Sequence, residues 1–201
     1  LEAFMRILEK IKVKKIEDNV IEISRNSNSI NKKWKIHLER NSSINQDYVI
    51  ICSGLNTQKL LKSLGHTICL EAILGQVIDL QIDKETISWN NWPAVLNYQS
   101  INFISHNYNH LIMGATIENG NEASLLHKQE MLSIHNTAPE WLKKAKVINE
   151  WSGIRARPLN EPSPLLKELE PGLLINTGHY RNGILLAPSC AEWIGLRIKA
   201  Q

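Results

Sequence analysis

Residues 178–188 read GHYRNGILLAP, and few folds accommodate that order. Two glycines bracket His179, Tyr180, Arg181 and Asn182, an apolar run follows, and Pro188 closes the stretch. Glycine inside a helix costs about 1 kcal/mol relative to alanine, so the bracketed residues predict a loop. A surface loop, however, has no use for so apolar an exit. The stretch predicts main chain brought close to a flat ligand, followed by a closing helix. Pro188 suits that helix's first turn, and the helix runs to about Lys199. Free N–H groups at such a helix start carry the positive dipole end and favour negative charge. A plain glycine-punctuated helix entry explains the glycines and the proline, but not His179, Tyr180 and Arg181 together.

The rest of the chain alternates between short strand and helix patterns. Leu1, Phe4, Leu8 and Ile11 share a helical face. Alternation predicts strands at Lys12–Ile16, Val20–Arg25 and Trp34–Leu38, with Asn- and Ser-rich turns at 26–33 and 41–45. Tyr48–Cys52 is a short continuous apolar run that ends in Ser53-Gly54, and a helix is predicted from about Gln58 to Leu64. A buried strand ending in glycine before a helix is a common ligand-facing arrangement in α/β folds. Further strands are expected at Val77–Ile82, Ile101–Ser105, Leu111–Ala115, Lys146–Trp151 and Leu173–Asn176. Residues Asn107–Asn109 would turn the third of these chain segments back as a hairpin. Glu122–Asn136 reads as a helix ended by Pro139. The sum is an α+β chain with no internal repeat and no clear linker.

Composition narrows the function. The 201 residues are 43% hydrophobic and 21% charged, and the net charge is only +3, values ordinary for a globular domain or two small ones. Lys10, Lys12, Lys14 and Lys15 have no aromatic platform beside them, so they read as a solvated face and not as a nucleic-acid surface. Cys52, Cys69 and Cys190 form no CxxC and read as reduced thiols of a cytoplasmic protein. No apolar run is long enough to span a bilayer. Gly178-x4-Gly183 has phosphate-loop spacing, but Ile184 and Leu185 stand where Lys and Ser/Thr are needed. There is no HExxH, no zinc-ligand cluster, no GxSxG and no GxGxxG; no metal is expected. His106 and His110 bracket a predicted turn and read as surface residues.

WSGIRARP (151–158) places Arg155 and Arg157 two apart, so in extended backbone both point the same way. One reading is a strand-end arginine paired with a carboxylate. The other is a bidentate clamp for a carboxylate ligand, which guanidinium geometry suits. Arg181 is a second candidate of the same kind.

These segments, in this order, resemble the C-terminal part of the D-amino-acid oxidase family of FAD-dependent amine oxidases, in particular its glycine-oxidase branch. DNVIEISR (18–25) resembles the segment whose backbone meets adenine, which points to Val20. DYVIICSG (47–54) resembles the strand ending in a glycine beside the cofactor, here Gly54. GQVIDL (75–80) and LIMGATIENG (111–120) resemble substrate-domain strands. WSGIRARP and TGHYRNGILLAP resemble the substrate-arginine strand and the flavin-contacting C-terminal motif.

The resemblance implies FAD as cofactor, held in part by Val20, Gly54, Gly178, His179, Asn182, Gly183, Ile184 and Leu185. It implies Arg155 and Arg181 as substrate carboxylate contacts. It also implies a mixed or antiparallel substrate-domain sheet at 67–151, set between two returning segments of a Rossmann-like FAD domain at 1–66 and 152–201. The N-terminal unit bearing the glycine fingerprint is expected outside this chain, as a missing portion or a partner. The implied chemistry is oxidation of glycine or another small amine to an imine, with molecular oxygen giving hydrogen peroxide, in thiamine biosynthesis. No protein acid–base group is obligatory for it, so no catalytic residue is assigned. The alternatives are an amine or D-amino-acid dehydrogenase with another electron acceptor, and a non-catalytic remnant that holds a carboxylate. A homo-oligomer is compatible with all three. One departure stands out. Relatives carry an aromatic substrate contact where this chain has Asn102, in NFISH (102–106); Tyr98 and Tyr108 are the nearby substitutes.

Overall fold

The computed structural model describes residues 2–27, 33–83, 92–107 and 109–199. The order is α1 (Glu2–Lys10), β1 (Val20–Arg25), β2 (Trp34–Leu38), β3 (Ile44–Gln46), β4 (Val49–Ile51), α2 (Thr57–Lys62) and β5 (Leu70–Gln81). It continues with β6 (Val95–Tyr98), β7 (Ile101–Asn107), β8 (His110–Gly114), β9 (Glu118–Asn119), α3 (Leu125–Leu132) and α4 (Glu140–Lys143). Then come β10 (Lys146–Pro158), β11 (Leu165–Glu170), β12 (Leu173–Thr177) and α5 (Gly183–Lys199). Three sheets result: β1-β2-β3, β11-β12-β4, and a large sheet ordered β10-β5-β8-β7-β6 with β9 on β5. All pairs are antiparallel except β12 with β4, which is parallel. The expected α+β class, with mixed and antiparallel sheets, is what forms.

Two cores follow from the apolar patterns. Ile23, Trp34, Ile51, Leu61, Leu173 and Ile175 belong to one, which joins the two three-stranded sheets and α2. Ile78, Leu80, Phe103, Met113, Met131 and Leu142 belong to the other, where α3 and α4 cover one face of the large sheet. Arg25 of β1 reaches across to β11, its Nε donating to Glu170 Oε2 at 2.8 Å, and His66 Nε2 lies 2.7 Å from Glu170 Oε1.

Several local expectations need correction. Residues 13–17 form no strand, because no neighbouring strand offers them a ladder; Lys12 instead has a left-handed φ of 59° and ends the α1 region in a turn. β5 and β10 are far longer than Val77–Ile82 and Lys146–Trp151, since they pair with each other from Lys146↔Gln81 to Pro158↔Leu70. The predicted helix at 122–136 shortens to α3, because Ile134, His135 and Asn136 take positive φ and turn the chain. Leu1 and the middle of the predicted 107–109 turn, Tyr108, lie outside the described residues.

A buried carboxylate stitches the large sheet to α3. Glu118 is 3% exposed. Gln76 Nε2 donates to its Oε1 at 2.8 Å and the Ser124 amide to its Oε2 at 2.6 Å, while Thr116 Oγ1 also donates to Oε1. Burial alone would raise its pKa, but the hydrogen bonds from Thr116, Gln76, Ser124 and His127 outweigh that and hold it below the ordinary 4.5. A lowered carboxylate pKa contributes stability above the unfolded-state value and loses it as pH falls through the folded value. Glu118→Ala should therefore cost about 2–4 kcal/mol near neutral pH by orphaning these donors. Urea midpoints will show this, and the gap between wild type and variant should narrow as the pH drops below about 4.

Candidate cofactor and substrate site

β4 and β12 run parallel in register Leu173↔Val49 to Ile175↔Ile51, so their C-terminal ends coincide. Each is followed by a glycine with left-handed φ: Gly54 at 58° and Gly178 at 65°. Thr177 Oγ1 donates to the Gly54 carbonyl at 3.2 Å, and Thr57 Oγ1 donates to Thr177 Oγ1 at 3.4 Å. These bonds hold the two strand ends open side by side. Open α/β sheets bind ligands in such a crevice beyond the strand ends. The crevice is a cleft of about 190 Å³ whose walls include Cys52, Gly54, Asn176, Gly178 and His179. Cys52 also lines a larger trough of about 720 Å³ that extends to Val20 and Ile21. Val20, Gly54, Gly178 and His179, read from four separate places in the sequence, thus border two adjoining hollows.

The C-terminal motif departs from expectation in one respect. α5 begins at Gly183, not at Pro188, which lies inside the helix. Asn182 opens it, its carbonyl accepting from the Leu186 amide at 2.9 Å. Pro188 removes a single backbone donor and the ladder continues around it. The helix start, with its positive dipole end, therefore sits directly after the His179–Asn182 loop. Ile184 and Leu185, 96% and 78% exposed, point outward there, and Arg181 and Asn182 are exposed as well. The glycines also serve the interior more than expected. A Cβ on Gly178 would lie 2.8 Å from Pro158 Cγ, and one on Gly183 would rest at 3.5 Å from His179 Cβ. His179 folds back along α5, with Nε2 at 3.5 Å from Cys190 Sγ. Burial lowers the His179 pKa.

Arg155 and Arg157 share one face of β10, as their spacing requires, yet their surroundings differ. Arg157 lies opposite Glu71, and its Nε donates to that carboxylate. Its guanidinium also stacks 5.6 Å from the Tyr180 ring centroid. Arg155 lies across Gly75, where any Cβ would be 2.7 Å from its Cζ. Its Nη1 is buried with no hydrogen-bond partner among the described residues. Gly153 pairs with Gly75, so this one cross-strand pair puts no side chain on the sheet surface under the guanidinium. The row Asn97–Asn102–Gly114–Val77–Trp151 crosses the sheet on this same face. It is the face opposite α3 and α4. Asn102 therefore faces the same side as Arg155, and its Oδ1 accepts from Asn97 Nδ2 at 2.8 Å. Tyr98 pairs with Ile101 and belongs to the other face, so it does not replace the missing aromatic; Tyr108 lies outside the described residues.

Sequence reading missed Gly75, Asn176 and Cys190. Only the cross-strand register reveals the first. Asn176 was visible merely as a strand residue; its Oδ1 is buried beside the cleft and has no hydrogen-bond partner among the described residues. Nothing local distinguishes Cys190 from an ordinary helix thiol.

Residues 1–196 match the family described as "DAO: FAD dependent oxidoreductase". This chain belongs to that family. It is 26% identical over 151 residues to a glycine oxidase of Pseudomonas putida KT2440, a span of 73% of this chain and 40% of the relative. A glycine oxidase of Geobacillus kaustophilus HTA426 is also 26% identical, covering 70% of this chain and 37% of the relative. Among solved structures, iminodiacetate oxidase from Chelativorans sp. BNC1 covers all of this chain and 54% of its own, at 19% identity and TM-score 0.81. Glycine oxidase from Bacillus cereus ATCC 14579 covers 92% of this chain and 50% of its own, at 23% identity and TM-score 0.74. The chain thus spans about 40% of the curated relatives' length and half that of the structures.

FAD is the family's cofactor, and the chemistry of the cleft is compatible with a flat, polar-edged group. The cleft offers the His179 imidazole and, at Asn176 Oδ1, a buried acceptor without a partner among the described residues; α5 begins three residues beyond its last lining residue, Tyr180. The sequence contains no GxGxxG, the fingerprint of a dinucleotide pyrophosphate site. Among the described residues, no His/Cys/Asp/Glu group could hold a metal, and no helix is long and apolar enough to cross a membrane.

The two strand-end glycines make a clean comparison. Gly54→Ala meets only the left-handed penalty, about 1–2 kcal/mol, since nothing lies within 4 Å of its Cβ position. Gly178→Ala adds overlap with Pro158 and Leu70, and should cost about 1–3 kcal/mol more. Thermal midpoints of the two variants will rank in that order.

Proposed function

We propose that this chain supplies the substrate-facing sheet and part of the FAD-binding portion of an enzyme that oxidises glycine or another small amine to an imine. Residues 67–151 form the substrate-binding part in this reading, flanked by cofactor-facing segments at 1–66 and 152–201, with β10 continuous through the second boundary. The observation that carries the proposal is Arg155: a buried guanidinium nitrogen without a partner, laid over a glycine on the open face of the sheet. A buried N–H group left unsatisfied is costly, and a substrate carboxylate is the counterpart that guanidinium geometry suits.

FAD supplies the hydride acceptor for the substrate α-carbon, a step that needs no protein acid or base. The chain's own residues bind and orient. Arg155 holds the carboxylate, and Arg181, exposed beside the cleft, offers a second contact. The bare Gly75–Gly153 surface leaves room for a small substrate against the sheet. Val20, Gly54, Gly178, His179, Asn182, Gly183, Ile184 and Leu185 hold the cofactor, and the α5 N-terminus sets positive potential against an anionic ring edge. Molecular oxygen as acceptor with peroxide as product and a role in thiamine biosynthesis belong to this proposal through the resemblance to the glycine-oxidase branch, and a cytoplasmic setting and self-association are part of the same reading. A portion bearing the pyrophosphate-binding unit completes the site.

In the complete enzyme, Arg155→Met should weaken substrate binding by about 2–5 kcal/mol, as for a buried charge pair that loses one partner. The loss should appear in KM more than in kcat. Unchanged substrate affinity would overturn the clamp. Peroxide formed stoichiometrically with glycine consumed supports the oxidase, and its absence with an artificial acceptor active favours a dehydrogenase.

A further inference from the structure

The His179–Cys190 pair has no role in the family resemblance, and its geometry supports one. His179 leaves the Gly178 turn, lines the cleft, and lays its imidazole back along the first two turns of α5. Gly183, Leu186 or Ala187, and Cys190 follow one another on a helix face at this spacing. The absence of a side chain at Gly183 leaves room for the His179 stem. At the far end, Nε2 meets the Cys190 thiol at 3.5 Å, within reach for a sulfur hydrogen bond. Cys190 is 2% exposed, so water does not compete for it. The other ring nitrogen, Nδ1, makes no hydrogen bond to protein among the described residues, and His179 itself lines the cleft.

We propose that Cys190 is a positioning residue: its thiol donates to His179 Nε2, which fixes the ring proton on Nδ1 and makes His179 a hydrogen-bond donor toward the cleft. The direction follows from the partners. Neutral imidazole nitrogen is a good acceptor, whereas thiol sulfur is a weak one and S–H a usable donor. Burial keeps the imidazole neutral near pH 7, so a single tautomer must be chosen. A metal-bound or catalytic histidine is oriented by the partner of its second nitrogen in the same manner. The ligand that this donor serves is a planar heteroaromatic ring with a carbonyl or imine acceptor at its edge. That last assignment rests on the cofactor proposal above; the thiol–imidazole pairing does not.

The test uses the purified chain labelled with 15N at histidine, read by long-range 1H–15N correlation near neutral pH. His179 should show a protonated Nδ1 and an unprotonated Nε2. Cys190→Ala should shift the population substantially toward the Nε2–H form, and Cys190→Ser, which keeps a donor, should restore the Nδ1–H form. An unchanged backbone amide spectrum shows that each variant has folded. An Nε2–H tautomer in the wild type, or a tautomer indifferent to Cys190→Ala, overturns the proposal. Addition of lumiflavin, an isoalloxazine without the dinucleotide tail, should then move the Nδ1–H resonance. If the tautomer behaves as stated but lumiflavin leaves Nδ1–H unmoved, the pairing stands and the assignment of His179 to the cofactor ring falls.

Discussion

The antiparallel pairing of β5 with β10 is the interaction on which the other parts depend. It runs through twelve residue pairs, from Lys146↔Gln81 to Pro158↔Leu70, and the ladder continues as the Leu159 amide donates to Cys69. One end of β5 contributes Leu70 to the core beneath the cleft, and the other contributes Ile78 and Leu80 to the core beneath α3 and α4. The ribbon thus fixes the cleft at the ends of β4 and β12 against the open face of the large sheet. The C-terminal loop is tied to the same ribbon, since the Tyr180 amide donates to the Ala156 carbonyl at 3.1 Å. A displacement of the sheet would carry Arg155 and the His179 loop together.

Within that ribbon, two arginines of identical spacing meet different fates. Glu71 stands opposite Arg157 and neutralises it, and Tyr180 covers the outer side of the pair. Arg155 lies opposite Ile73 and diagonally across from Gly75, where it finds space in place of a carboxylate. The contrast separates a paired arginine from one whose buried Nη1 has no partner among the described residues, which residue type alone does not. The same principle appears in reverse at Glu118, a buried charge that is fully satisfied and therefore serves the fold, not a ligand.

Much apolar surface remains outside the two cores. No residue of α1 is buried, and Phe4, Leu8 and Ile11 line one exposed stripe. Ile184 and Leu185 stand open at the head of α5, and β4 pairs with β12 on one side only among the described residues. A short amphipathic helix has little stability in water without a surface against which to bury its apolar stripe. Of these elements, β4 borders the trough that reaches Val20.

The sequence by itself determined the element types wherever periodicity was strong. β1 and β2 fall at the predicted residues, the β7–β8 hairpin forms, and the glycine-ended run at 48–54 became a strand facing a cleft. It also determined the family, because TGHYRNGILLAP and WSGIRARP carry side chains that a purely structural segment does not require. Local pattern failed where pairing decided. The long reach of β5 and β10 depends on each strand finding the other more than sixty residues away, and Gly75, Ser152 and Gly153 weaken the alternation that would have announced it. Residues 12–16 alternate yet form no strand, since alternation without a neighbour satisfies no backbone hydrogen bonds. Helix α5 starts five residues before its proline, because the apolar run 184–187 is itself helical and the Asn182 carbonyl accepts the first bond of its ladder from the Leu186 amide. What only the tertiary structure decided is which arginine has a buried nitrogen without a partner among the described residues, which tyrosine faces the wrong side, and which thiol lies against the histidine. Each of these is a relation between residues on different strands or turns, fixed by register and packing, and no single stretch of chain encodes it.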